Sequence, residues 1–165
     1  MTLPPFQRLL EEHSPALHRF CVAQAGPHHG PDCFQEAVLA ALRAYPTLTD
    51  ASNLKGWLFT IAHRKVIDHH RRASRTTAVA DASAVISASG GGGVALAPAP
   101  PEVAADHHVW AAVQRLPEAQ RSAVALRYLA DLAYAEIAVA LGCSEAAARQ
   151  RVRAGLTTLR QEVTP

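Results

Sequence analysis

Four arginines fall within twelve residues near the C-terminal end, Arg149, Arg151, Arg153 and Arg160, with Gln150 among them and no lysine. Guanidinium groups grip phosphates in a fixed fork, and arginine and glutamine are side chains that pair with guanine and adenine edges. A second basic set lies upstream. Arg64 and Arg71 are seven residues apart, as are Lys65 and Arg72, so on a helix they form a stripe two residues wide that suits a ladder of phosphates. Asp68 lies four residues from both Arg64 and Arg72, and the same spacing also suits a solvated, salt-bridged face. The chemistry on offer is recognition of a polyanion.

These side chains need rigid elements to present them. Residues 134–160 read YAEIAVALGCSEAAARQRVRAGLTTLR, two helical patterns joined at Gly142-Cys143-Ser144. Ile137, Ala138 and Leu141 share one face of the first, and Ala148, Val152, Leu156 and Leu159 share one face of the second. Gly142 can take the left-handed conformation that ends a helix, and the Ser144 hydroxyl can cap the next. A tight helix-corner-helix lays its second helix into the DNA major groove. Arg149, Gln150 and Arg153 then face outward, with Arg151 and Arg160 at the flanks. Such corners also occur in bundles that never touch DNA; the density of arginine favours DNA here.

The 165 residues form one ordinary domain or two small ones. The net charge of +2 is too small for indiscriminate nucleic-acid binding, but it is unevenly spread. Residues 1–52 carry −2, 53–75 carry +5, 76–105 carry −2 and 106–165 carry +1. Localised patches are the footprint expected of a DNA reader. Three cysteines, Cys21, Cys33 and Cys143, imply no disulfide framework and fit a reducing cytosol. The N-terminus has no apolar signal-peptide core, and no run approaches the ~20 apolar residues that span a bilayer, so a cytoplasmic protein without membrane insertion is expected.

The expected class is all-α, since no segment alternates as a strand does. Two small helical domains are expected, at 1–75 and 106–165, joined by a flexible Ala/Gly/Pro linker over 76–105. That stretch includes four consecutive glycines and too few large apolar side chains to offset the entropy of ordering it. The two domains should then move semi-independently. In the first, Phe6, Leu9, Leu10, His13, Leu17, Phe20 and Cys21 keep helical spacing, with a restart at Ser14-Pro15. GPHHGP (26–31) reads as a loop, and a helix runs from Asp32 to about Ala44. Asn53 can cap a long helix to about Ala73, whose apolar stripe is Leu54, Leu58, Ile61, Ala62 and Val66. Trp57 borders it and reads as core. Helices are expected near 106–115, 118–130, 134–141 and 145–162.

Cys21, His28, His29 and Cys33 lie within thirteen residues, and zinc accepts such ligands. Cys21 falls on an apolar stripe, however, and no paired C-x-x-C is present. No Gly-rich phosphate loop follows a strand, and neither G-x-S-x-G nor H-E-x-x-H occurs. No metal, no cofactor and no catalytic site are expected.

Taken in order, three blocks of residues resemble the extracytoplasmic-function group of bacterial RNA polymerase sigma factors. Asp32-Cys33-Phe34-Gln35-Glu36 is similar to that family's D-x-x-Q-E signature. Gly56-Trp57-Leu58-Phe59-Thr60-Ile61-Ala62 followed by Asp68-His69-His70-Arg71-Arg72 is similar to its W-L-x-x-I-A…D-x-x-R-R helix. Leu116-Pro117-Glu118, Arg121, Leu126-Arg127-Tyr128, Tyr134-Ala135-Glu136-Ile137-Ala138 and Leu141-Gly142-Cys143-Ser144-Glu145 resemble its region 4. The chain departs from the family pattern at His63-Arg64, where Arg-Asn is frequent, and at Ala147 and Ala154, where Thr and Arg are usual.

The resemblance implies a subunit without a catalytic site that binds core RNA polymerase and directs initiation at promoter DNA. Asp32, Gln35 and Glu36 would dock on the polymerase. Asn53, Lys55, Arg64, Lys65, Arg71 and Arg72 would hold the −10 element. Ser144, Glu145, Arg149, Gln150, Arg151 and Arg153 would meet the −35 element. An anti-sigma factor is a further expected partner. Two other functions remain open at this point: a stand-alone helix-turn-helix regulator, which has no need of the D-x-x-Q-E block, and a metal- or redox-responsive sensor using Cys21, His28, His29 and Cys33.

Overall fold

The computed structural model describes residues 3–81, 109 and 111–163, and every regular element among them is helical. In chain order they are α1 (Phe6–Ala44), a 3-10 turn (Tyr45–Thr47), α2 (Leu54–Asp81), α3 (111–115), α4 (Glu118–Tyr128), α5 (Tyr134–Leu141) and α6 (Glu145–Val163).

Helix α1 corrects two expectations. No restart occurs at Ser14-Pro15, because the helix runs straight through Pro15. Leu9, Leu17, Phe20 and Cys21 form one continuous buried stripe, which a break at residue 14 would rotate out of register; packing overrides the local cost of proline. The loop expected over 26–31 shrinks to one residue. Gly26 has φ 81° and ψ 171°, a region open essentially to glycine alone. Pro27 then stands at the first position of the resumed helix, where a fixed φ and a missing N–H cost nothing.

The resumed half of α1 packs along α2. Cys33, Ala37 and Ala41 meet Leu58, Phe59, Ala62 and Val66 in the core, and Phe20 and Phe59 stack edge to face with centroids 5.7 Å apart. Tyr45 anchors the turn: its hydroxyl donates to the Pro4 carbonyl, and its ring lies between Phe6 at 5.2 Å and Trp57 at 6.0 Å. Asn53 caps α2 as expected, its Oδ1 accepting from the Gly56 N–H at 2.8 Å.

Helix α2 continues past Ala73 to Asp81, since the intervening residues contain neither glycine nor proline to stop it. The expected linker therefore gives up 76–81 to helix. Its remainder, and the start of the helix expected at 106, lie outside the described residues.

Ile137, Ala138, Ala148 and Val152 close the C-terminal core together with Leu126 and Leu132. The two sets of helices are not apart. Helix α4 packs on α1 and α5 packs on α2, so the two expected domains meet in this structure. The contact includes side-chain hydrogen bonds from Gln24 to the Arg121 carbonyl, from Gln114 to the Val22 carbonyl and from Ser122 to Gln24, which composition does not reveal.

Candidate nucleic-acid interface

The corner between α5 and α6 forms as its residues dictate. Gly142 takes φ 60° and ψ 42°, and the N–H groups of Gly142 and Cys143 close the end of α5 on Val139 and Ala138. Ser144 Oγ accepts from the Ala147 N–H at 3.2 Å, capping α6. Glu136 caps α5 by accepting from the Ala133 N–H at 2.6 Å.

On α6, Glu145, Arg149, Gln150 and Arg153 are exposed and Arg151 is half-buried. Arg149 is not a free cation. It pairs with Glu145 one turn earlier, and its guanidinium carbon lies 4.5 Å from the centre of the Tyr134 ring. Arg127 approaches the same ring at 5.5 Å, so Tyr134 is flanked by two guanidinium groups. Tyr134 is a site residue missed in the sequence; only the contact between α5 and α6 brings it to Arg149.

Three of the four residues expected in the basic stripe of α2 come together, while Arg64 faces elsewhere. Lys65, Arg71 and Arg72 line a polar depression of ≈ 360 Å³ with Glu36, Asp68 and Arg75. Arg75 joins the set because α2 extends beyond the expected end. Arg72 donates to Glu36 at 2.9 Å, which pushes its pKa up further. Asp32 and Gln35 are exposed on α1, whereas Glu36 is half-buried. Leu39 and Leu42, 51 % and 49 % exposed, continue the Asp32–Gln35 face at helical spacing. Sequence reasoning missed both; an apolar residue reads as core until its surroundings are known.

Asn53 and Arg64 face a different depression. With Leu48, Asp50, Trp57, Ile61 and others they line an open cavity of ≈ 500 Å³, to which Ala135, Glu136 and Val139 of α5 contribute the far wall. Trp57, expected in the core, is half-buried at this wall. Ser52 donates its N–H to Asp50 at 2.8 Å, shaping the loop before α2 and holding the Asp50 carboxyl below its ordinary range. Lys55, in the first turn of α2, donates from Nζ to the Asp131 carbonyl at 3.3 Å.

The four zinc candidates do not gather. Cys21 and Cys33 are buried in the core, where burial pushes the Cys21 thiol up to about 12 and raises that of Cys33. His28 and His29 are exposed, and His29 stacks on His69 at 4.7 Å. Among the described residues no group of three or more His, Cys, Asp or Glu is placed to hold a metal ion. No described helix is long and apolar enough to cross a membrane.

Comparison with known proteins gives two family matches in chain order. Sigma-70 region 2 matches residues 9–76, and sigma-70 region 4 matches residues 108–159. Among solved structures, the sigma factor RpoE of Bartonella quintana, in complex with the anti-sigma factor NepR, superposes with a TM-score of 0.76 at 22 % identity, covering 99 % of this chain and 100 % of that one. CnrH, in complex with the cytosolic domain of CnrY, gives a TM-score of 0.67 at 21 % identity, covering 96 % of this chain and 86 % of that one. A search of curated protein sequences gave no match.

Proposed function

The chain belongs to the extracytoplasmic-function group of sigma-70 factors and is an alternative, promoter-recognising sigma factor, and on that premise we propose how its residues divide the work. The observation that carries the reading is the order of the two matched regions, with region 2 on the paired helices α1 and α2 and region 4 on the helix-turn-helix.

Asp32, Gln35 and Glu36 dock on core RNA polymerase, and Leu39 and Leu42 extend their face. Polar residues beside two half-exposed leucines are the composition of a protein-binding patch rather than of a solvated one. Asn53, Lys55 and Arg64, with Asp50 and Trp57 around them, hold the −10 element. Lys65, Arg71, Arg72 and Arg75 neutralise its phosphates. Ser144, Glu145, Arg149, Gln150, Arg151 and Arg153 present α6 to the −35 element, where exposed α6 side chains reach base edges and the cap end of the helix meets the backbone. The chain itself catalyses no reaction; nucleotide addition belongs to the polymerase. It works in the cytoplasm, where polymerase and promoter DNA are found. By likeness to RpoE and CnrH, both solved with a partner chain, an anti-sigma factor is assigned to this protein too.

Titration of core polymerase with wild-type chain and with the Gln35→Ala, Glu36→Ala double variant tests the docking assignment. A weaker complex with an unchanged far-ultraviolet circular dichroism spectrum supports it. Equal affinity removes it.

A further inference from the structure

The run GPHHGP at 26–31 takes no part in the roles assigned above. Gly26 bends α1 sharply there, and Gly30 comes so close to Val22 that a Cβ on it would lie 2.5 Å from the Val22 Cα. The bend sets the following residues beside α2. His29 and His69 are brought together, with ring centres 4.7 Å apart and ring planes inclined by 41°.

Two features set this pair apart from ordinary packing. His29 is exposed and His69 half-buried, so their contact hides little apolar surface to offset the ordering of both rings. The spacing is the second. Imidazole nitrogens bind a transition-metal ion at about 2.0–2.1 Å, and two rings on one ion with about 90–110° between the bonds have centres about 4.5–5.2 Å apart. The observed 4.7 Å falls within that window. His29, being exposed, is free to turn about its side-chain bonds and aim a nitrogen at an ion that His69 also meets.

The neighbours define what kind of site this is. His70 lies edge-on to His69 at 5.8 Å and is itself tied through Nε2 to the Gln24 carbonyl at 3.2 Å, so it supports His69 and is not offered to an ion. Among the described residues no group of three His, Cys, Asp or Glu is placed to hold a metal ion. Water therefore fills the remaining positions, and the ion is exchangeable. Two neutral nitrogens suit Zn(II), Ni(II) or Cu(II), whereas Mg(II) and Ca(II) take oxygen ligands. Arg71 and Arg72 follow His69 closely, but Arg72 is paired with Glu36 at 2.9 Å. Asp68 precedes His69, and Asp32 follows His29 by three residues.

We propose that His29 and His69 form an exchangeable two-imidazole site for a divalent transition-metal ion, which clamps the turn of α1 onto α2. Occupied, it fixes the segment that leads into Asp32. The site requires only the fold, and it stands or fails independently of the sigma-factor reading.

The test uses the full chain, stripped of metal with a chelator. Isothermal titration calorimetry with Ni(II) gives the affinity, and thermal unfolding with and without the ion gives the change in Tm. The wild-type chain should bind one ion and unfold at a higher temperature with it, because only the folded chain holds the two imidazoles together. His29→Ala and His69→Ala should each weaken binding about tenfold or more and abolish the rise in Tm. His28→Ala, which removes the neighbouring exposed histidine, should change neither, and Mg(II) should not stabilise the chain. The clamp is overturned if the wild-type chain shows no ion-dependent rise in Tm, if either His29→Ala or His69→Ala binds as wild type does, or if His28→Ala weakens binding as much as they do.

Should a substituted chain fail to fold, nuclear magnetic resonance of the unaltered chain decides. Substoichiometric Cu(II) should broaden the imidazole signals of His29 and His69 before those of the other histidines. Broadening that begins elsewhere defeats the assignment.

Discussion

Arg72 of α2 donates to the Glu36 carboxylate of α1 at 2.9 Å, so a member of the basic stripe is held by a member of the docking set. Both side chains are substantially exposed, and such pairs add little to stability. On the proposed assignment of roles, the pair links the polymerase-docking set to the basic stripe. Gln35→Ala should weaken core-polymerase binding and leave DNA binding by the holoenzyme as it was. Glu36→Ala should weaken polymerase binding and also alter the salt dependence of promoter binding, because it releases Arg72. Titrations at several salt concentrations would check this; identical salt slopes for the two variants would show the residues to be uncoupled.

Arg149 is poised by its neighbours. The Tyr134 ring and the Glu145 carboxylate hold its guanidinium, which on the proposed assignment sets it for a base edge. Arg149→Ala or Gln150→Ala should relax preference at particular −35 positions by ~1–3 kcal/mol, whereas Arg151→Ala should weaken all sequences alike. Tyr134→Leu should blur the positions that Arg149→Ala blurs, and Tyr134→Phe, which keeps the ring face, should not. Selection from a randomised −35 library by each holoenzyme reads this out. A shift for Arg151→Ala with none for the other two would reverse the roles.

Acid should loosen the molecule through α2. Burial holds His63 down to about 4 from an ordinary 6.5; Arg64 works in the same direction and Glu118 against it. His70 is lowered too, by burial first and then by Arg121, with Glu118 opposing. A released His63 takes up a proton that the buried one refuses. Stability is therefore full above about pH 6.5 and falls as pH drops from there towards about 4, by up to roughly 3 kcal/mol from His63. Thermal unfolding between about pH 7.5 and about pH 5 should show a smaller loss for His63→Leu than for wild type. Equal losses would remove His63 from the account.

The corner depends on Gly142. Its φ of 60° penalises any residue with a Cβ, although no atom lies within 4 Å of where that Cβ would be. Gly142→Ala should cost ~1 kcal/mol, and Gly142→Asn less, since asparagine tolerates the left-handed region. Chemical denaturation measures both. A loss several times larger would mean that the site is crowded after all.

Much of this was legible in the residues. The caps at Asn53 and Ser144, the corner at Gly142 and the stripes of α2, α5 and α6 follow from local chemistry and period alone, because each depends on neighbours within a turn or two. Other features depend on distant neighbours and could not be read that way. Pro15 stays helical because its stripe packs, and the turn-rich run at 26–31 narrows to Gly26 because proline also starts helices. Tyr134 reaches Arg149, and Gln24 reaches Ser122, only after the chain has folded back. A lone glutamine among apolar residues carries no mark of the partner that will satisfy it. Leu39 and Leu42 posed the reverse problem: their spacing fits a buried stripe, yet the fold leaves them at the surface.

The central claim is that this chain confers promoter choice on RNA polymerase. Run-off transcription with core polymerase on a library of genomic fragments tests it most directly. The account predicts discrete transcripts that appear only when the chain is added, from fragments sharing two upstream elements, and that are lost with the Gln35→Ala, Glu36→Ala variant. Transcription that is unchanged by adding the chain, in a reaction where another sigma factor does initiate, would contradict it.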